Sequence, residues 1–268
     1  MSSDNKPNLT SPPYCSGPGT RYFDSTFKTL DLFMFVIEMV LHSDYAAHVA
    51  RCALDGKELP KDISPGDLAQ KSPGRGTKVL RRHSQLLLEM ILSRAVDEFS
   101  TYLSEIIREV LNSKPEILRT REQVRLDYVL RFESLSELTR DLVDRKVADL
   151  GYRGFTEVLD WLNQKLGISM VSGQSNISAI AEIIETRNLI AHNSSTIGAK
   201  YIKKVHGTTF KQGELREIDV DYLFRSVEAL MSSVRSLDEM VSKKFVLTYT
   251  PYTGQSSQSK KHTSNQIQ

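Results

Sequence analysis

Three side chains close together in the chain, Arg187, Asn188 and His192, are of the types that hold and break phosphodiesters. An imidazole with an ordinary pKa of about 6.5 takes or gives a proton near neutrality. A guanidinium offers a planar fork of donors to phosphate oxygens and stabilises negative charge as it accumulates. A carboxamide can orient the imidazole or hold the phosphate itself. With these groups an RNA strand is cleavable by its own 2′-hydroxyl. The base removes that proton, the cation stabilises the developing charge, and a 2′,3′-cyclic phosphate is left. Dependence on the 2′-hydroxyl restricts such cleavage to RNA, and the scheme uses no metal or cofactor. Asn193, Lys200, Lys203 and Lys204 follow closely and form a candidate RNA-binding cluster, although surface lysines are more often simply solvated.

The segment that carries these residues must be a helix. At about 100° per residue, Ile177, Ile180, Ala181, Ile183, Ile184, Ile190 and Ala191 share one apolar arc. Asn176 is the expected N-cap and His192 lies near the end. Ser178, Glu182, Glu185 and Thr186 fall outside the arc, and Leu189 is an apolar side chain among them. Arg187 falls near the centre of the apolar arc and Asn188 lies inside it. His192 sits at the edge, one turn beyond Asn188. An arginine without partners is costly to bury. Arg187 must therefore pair with a carboxylate of a neighbouring helix, for instance Glu98 or Glu105, or open onto a cleft.

The rest of the chain is patterned for helices. Phe27, Leu30, Met34, Ile37, Leu41 and Tyr45 recur at three- and four-residue steps over about 25–53. A stretch rich in glycine and proline, 55–77, reads as a long loop. Leu88, Leu92, Ala95, Phe99, Leu103, Ile106 and Val110 define a long amphipathic helix over about 78–112, broken by Pro115. A charge-dense helix is expected over about 119–150, with Leu135, Leu138 and Leu142 on one side, and a short one over 156–166. The segment 202–214 has no helical period and reads as a hairpin or an excursion. A last helix, about 220–243, carries Leu223, Val227, Leu230, Val234, Leu237 and Val241. The expected fold is all-α: one helical domain over 21–248, with disordered tails at 1–20 and 249–268.

Arg187-Asn188-Leu189-Ile190-Ala191-His192, followed by Asn193, resembles the HEPN-domain motif: an arginine, a polar residue, and a histidine four to six positions on. The aliphatic residues between, the place at the end of an amphipathic helix, and the loop and long helix that follow are similar to that family. So is the long helix of 86–118. The resemblance covers about 78–243 in architecture and implies a bundle of four or five long antiparallel helices. It further implies a homodimer that brings two copies of the motif across a shared cleft. Active HEPN members are metal-independent endoribonucleases of toxin–antitoxin, defence or stress systems, which implies an RNA substrate and a separate regulator or antitoxin. The alternative is a HEPN-like module that binds protein, nucleotide or RNA without catalysis. HEPN toxins silenced by nucleotidylation carry a tyrosine two residues after the histidine; Ser194 stands here, so that control is not expected.

Composition bounds the remaining classes. The 268 residues carry 35 Lys+Arg against 33 Asp+Glu, a net charge of +2, so contact with RNA must be local rather than through a strongly basic body. Two cysteines, Cys15 and Cys52, make neither a disulfide framework nor a structural zinc site. The most apolar run, Leu32 to Leu41, includes Glu38 and is short of the ~20 residues of a membrane span. It reads as a core helix, and with no apolar segment near Met1 a cytoplasmic place is expected. No HExxH, CxxC or GxSxG occurs. His42 and His48 lie about 240° apart on a helix, which argues against metal catalysis. Gly74 to Lys78 only faintly suggests a phosphate loop. Trp161 reads as core.

Overall fold

A computed structural model describes residues 9–57, 63–119, 124–169, 174–205 and 207–254, without the side chains of 174–176. These residues form ten α-helices, one 3-10 turn and a two-residue strand pair, so the chain is all-α.

Helix α1 (Gly17–Leu54) begins well before the expected Ser25. Ser16 caps it: its Oγ accepts from the Gly19 amide at 3.1 Å, and Pro18 presets the first turn. Strand β1 (Tyr14–Cys15) pairs antiparallel with β2 (Thr250–Pro251), so stretches expected to lie in the tails belong to the fold. The first half of α1 buries Tyr22, Phe23, Leu30 and Phe33. Beyond Phe33 the helix leaves the core, and Met34, Phe35 and Met39 are exposed. The Leu32–Leu41 run is therefore not a core helix as expected. The helix continues far past it in both directions, and by length and composition α1 is long and apolar enough to cross a membrane.

The expected loop 55–77 contains two short helices, while 58–62 lie outside the described residues. Helix α2 (Pro65–Lys71) is set by a capping box in which Ser64 and Asp67 satisfy each other's amides, with Pro65 in the first turn. Helix α3 (Arg75–Arg82) begins where Asp44 of α1 accepts from the Gly76 amide at 3.0 Å and the Thr77 amide at 2.6 Å. Proline and glycine hid both: α2 is set by a local cap rather than an apolar period, and α3 by a carboxylate that reaches over from α1.

Helix α4 (Ser84–Ser113) is the central element, with α1, α6, α8 and α10 packed on it. His83 breaks the helical path, so residues 78–82 belong to α3. All seven residues of the expected stripe, Leu88 to Val110, are buried. A 3-10 turn (Pro115–Leu118) and α5 (Leu126–Val129) follow, with 120–123 outside the described residues. Helix α6 (Leu135–Arg153) starts sixteen residues later than expected, where Ser134 accepts from the Glu137 amide. It buries Val143, Val147 and Leu150, while Leu135 is exposed, so the expected face is corrected. Gly154, at φ 107°, turns the chain into α7 (Phe155–Leu166).

Helix α8 (Gln174–Asn193) begins before Asn176, whose side chain lies outside the described residues, as do residues 170–173. The excursion after it holds a short helix, α9 (Ala199–Lys204), and a bridge between Thr196 and Leu215; His206 lies outside the described residues. Helix α10 (Val220–Phe245) buries all six residues of its expected stripe. Trp161 packs against the main core without being fully enclosed.

Candidate functional site

Helix α8 is gripped on several sides, and each side gives a different fate to the residues around Arg187. Ile180 and Ile183 enter the main core. Leu189, apparently misplaced on the helical wheel, is buried with Ile197, Tyr201 and Val205 in a second small core under the excursion. The presumed polar face is therefore a second interior face. Thr186 is fully buried and Glu185 nearly so. The Glu182 carboxylate accepts from Tyr201 Oη at 3.0 Å, Tyr222 Oη at 2.7 Å, Thr186 Oγ1 at 3.0 Å and Arg216 Nη2 at 3.1 Å. The Arg216 guanidinium is flanked by the rings of Phe210 and Tyr222, at 4.9 and 4.2 Å. Burial above all pushes both phenols up, so Tyr201 and Tyr222 stay protonated donors. The sequence signal for this network was Leu189 itself, which required a cover for the polar face.

Arg187 faces the other way. Its Nη2 lies 2.7 Å from Asp97 Oδ1 on α4, a carboxylate one residue from the expected Glu98. The side chain keeps 28% of its surface, so the pair is not sealed in the core. Its Nε is buried without a hydrogen-bond partner among the described residues. Arg187 and Asn188 both line a cavity of about 360 Å³ between α4, α6, α7, α8 and α9. Asn188 makes no hydrogen bond to another described side chain or amide.

His192 does not enter that cavity. It is exposed and has no hydrogen-bonding or ionic partner among the described residues. Five residues along a helix carry it about 140° around and about 7.5 Å beyond Arg187. One chain therefore does not bring its guanidinium and imidazole onto one atom, although Asn188 and His192 share a side. Just past the histidine, Ser194 and Ser195 have φ of 47° and 59°, a conformation that costs non-glycine residues and collects at functional sites. Asn193 donates its amide to the Thr196 carbonyl, and Ser195 Oγ donates to Glu89 Oε1 at 2.6 Å; together they hold the turn.

The lysines divide. Lys204 is paired with Glu185 at 2.5 Å, Lys200 is exposed at the cavity and unpaired among the described residues, and Lys203 is exposed away from it. Asn193 is thus occupied by the backbone, and only part of the expected cluster shares the cavity with Arg187.

The Gly74–Lys78 stretch does begin a helix, but Asp44 already fills its free amides. A side chain on Gly74 would collide with that carboxylate, so no room is left for a phosphate. Among the described residues no three His, Cys, Asp or Glu side chains converge as a ligand set.

A groove adjoins the site on its other flank. Leu32 of α1, Leu86 and Met90 of α4 and Ile190 of α8 line it, together with Asp97, the partner of Arg187. Leu32, Leu86 and Met90 are each more than half exposed. No protein-family model, curated protein or solved structure matches this chain.

Proposed function

We propose that this protein is a metal-independent endoribonuclease of the HEPN type, working as a cytoplasmic homodimer in defence or stress under a separate regulator. One observation carries the reading. Arg187 and Asn188 face a cation-lined cavity, while His192 stands on the surface, unpaired among the described residues, one turn beyond Asn188 on the same helix. The imidazole takes the 2′-hydroxyl proton, and the guanidinium with the carboxamide holds the phosphate as charge develops. Because the two side chains of one protomer diverge, the working site is composite. The imidazole of one protomer acts on a phosphate held by its partner.

The apolar groove of Leu32, Leu86, Met90 and Ile190 supports that arrangement. It runs up to Asp97 beside Arg187, and exposed apolar surface bordering a site is what a second copy would cover. The test is cleavage of a structured RNA and its all-DNA analogue in EDTA, by the wild type and by Arg187→Ala and His192→Ala. RNA-only cutting with cyclic-phosphate ends, lost in both folded variants, is expected. Cutting that survives both substitutions overturns the assignment.

A second reading, an RNA- or nucleotide-binding module without catalysis, is favoured by the ion pair that already occupies Arg187. Undiminished RNA binding by a wild type that never cuts would select it.

A further inference from the structure

Helix α3 is basic along its free edge and apolar along its inner one. Between Asp67 and Glu89 the sequence carries Lys71, Arg75, Lys78, Arg81 and Arg82 and no carboxylate. Arg81 is tied back to the Ala69 carbonyl at 2.9 Å. Arg75 and Arg82, about two turns apart on one side of α3, are exposed and make no ion pair among the described residues. Lys78 is exposed beside them. Arg75 reaches the lining of a groove of about 810 Å³ between α1, α3 and α4. Val36 and Met39 of α1, Val79 of α3, and Leu86 and Met90 of α4 line it, and all are exposed. The one carboxylate of the lining, Asp44, is already engaged by the Gly76 and Thr77 amides. Leu86 and Met90 also line the groove at Ile190 and are the boundary that the two grooves share. Contiguous apolar surface with a charged rim marks a docking face.

Whatever covers this groove must be apolar along its centre and anionic along the α3 edge. From Val36 to Ala47 the α1 wall runs ~16 Å, about three helical turns. A bilayer takes up side chains that protrude, whereas these line a hollow. A second copy docked two-fold over the groove would set the arginines of α3 against their own symmetry mates, a like-charge contact. We propose that the groove takes an acidic amphipathic helix of a different protein. Apolar side chains at i, i+3 or i+4, and i+7 seat it between α1 and α4, and Asp or Glu on one flank meets Arg75, Lys78 and Arg82. The apolar contacts hold the helix, and the cations of α3 fix which flank faces them. Arg187 and His192 take no part in this lining, so the proposal holds with or without ribonuclease activity.

The experiment is fluorescence anisotropy with the full-length protein and labelled peptides of about four helical turns. The acidic peptide places leucine at the helical period on one face, with glutamate and alanine elsewhere. One control replaces each glutamate by lysine, and the other keeps the acidic composition in an order that has no apolar face. Binding of the acidic peptide about tenfold tighter than the lysine control is expected, the scale of two or three exposed charge pairs, with no binding of the scrambled control. Salt near ~1 M should remove most of that preference. Met39→Glu with Val79→Glu, both exposed and outside the groove at Ile190, should abolish binding. Arg75→Glu with Arg82→Glu should exchange the preference, so that the lysine peptide then binds better. Thermal melts followed by circular dichroism show that these surface variants fold. Equal binding of the acidic and lysine peptides, no binding of the acidic peptide above the scrambled one, or a preference that survives the α3 reversal would overturn the proposal. Pelleting with phosphatidylserine vesicles in place of peptide binding would assign the face to a membrane instead. A wild-type dimer that Met39→Glu with Val79→Glu splits, again without peptide binding, would assign it to a second copy. None of these readouts uses RNA, so they are independent of the nuclease.

Discussion

In the proposed function Arg187 has two partners, a carboxylate on α4 and an incoming phosphate, and this sets how the site behaves at the level of single residues. Asp97 is about half exposed, so removing it does little to stability, within about 1 kcal/mol. Asp97→Ala should therefore raise RNA affinity several-fold with the melting temperature almost unchanged, which filter binding and calorimetry would check together; unchanged affinity would mean that the ion pair does not compete with RNA. Glu182 is the opposite case. It holds Arg216, whose side chain is only 11% exposed, together with two phenols and a threonine. Glu182→Gln leaves a nearly buried cation without its counter-charge and should cost roughly 2–3 kcal/mol, a fall of several degrees in melting temperature. A change under one degree would show that the network is not what fixes the excursion to α8.

At the scale of elements, what could be read from the sequence divides along a physical line. Helices that bury one unbroken apolar stripe, α4 and α10, were legible along that stripe, because burial alone sets its period. Helices whose starts are fixed from elsewhere in the chain were not. The start of α1 depends on Ser16 meeting Asp238 across the molecule, and α3 depends on Asp44 reaching over from α1. Nothing local announces a contact whose acceptor is far away in the chain. At the candidate site, Arg187 and Asn188 stood out for breaking the apolar arc, and the structure gives them a cavity. The second interior face of α8 stayed hidden because it is covered by an excursion with no period of its own.

The cap on α3 gives a pH-dependent test. Burial pushes the Asp44 carboxyl up, but the Thr77 and Gly76 amides outweigh it and hold it below the usual carboxylate range. A depressed folded pKa means that the cap contributes fully above the unfolded value of about 3.9 and is lost as pH falls below it. Hydrogen exchange at Gly76 to Leu80 should accelerate at acid pH before the rest of the molecule opens. Asp44→Ala should bring the same opening at neutral pH, at a cost of about 1 kcal/mol. Uniform protection across α3 in that variant would count against the cap.

At the scale of the whole molecule, the exposed apolar side chains of α1 and α4 make association testable. Charged residues in place of Leu32 and Met90 should convert a dimer into a monomer by sedimentation and remove RNA cleavage with it. A wild type that sediments as a monomer at micromolar concentration would rule out the composite site.

The pairing of β1 with β2 has a further use. It lays the end of α10's exit strand over Cys15, which is 1% exposed and whose thiol burial pushes up to about 12, whereas Cys52 is only half-buried on α1. The two thiols form a natural gauge. A maleimide reagent should tag Cys52 promptly and Cys15 only as fast as the strands part. Shortening the chain to end at Leu247 should bring the two labelling rates together. The slower rate would then time how often the molecule unfastens at the seam that joins its two ends.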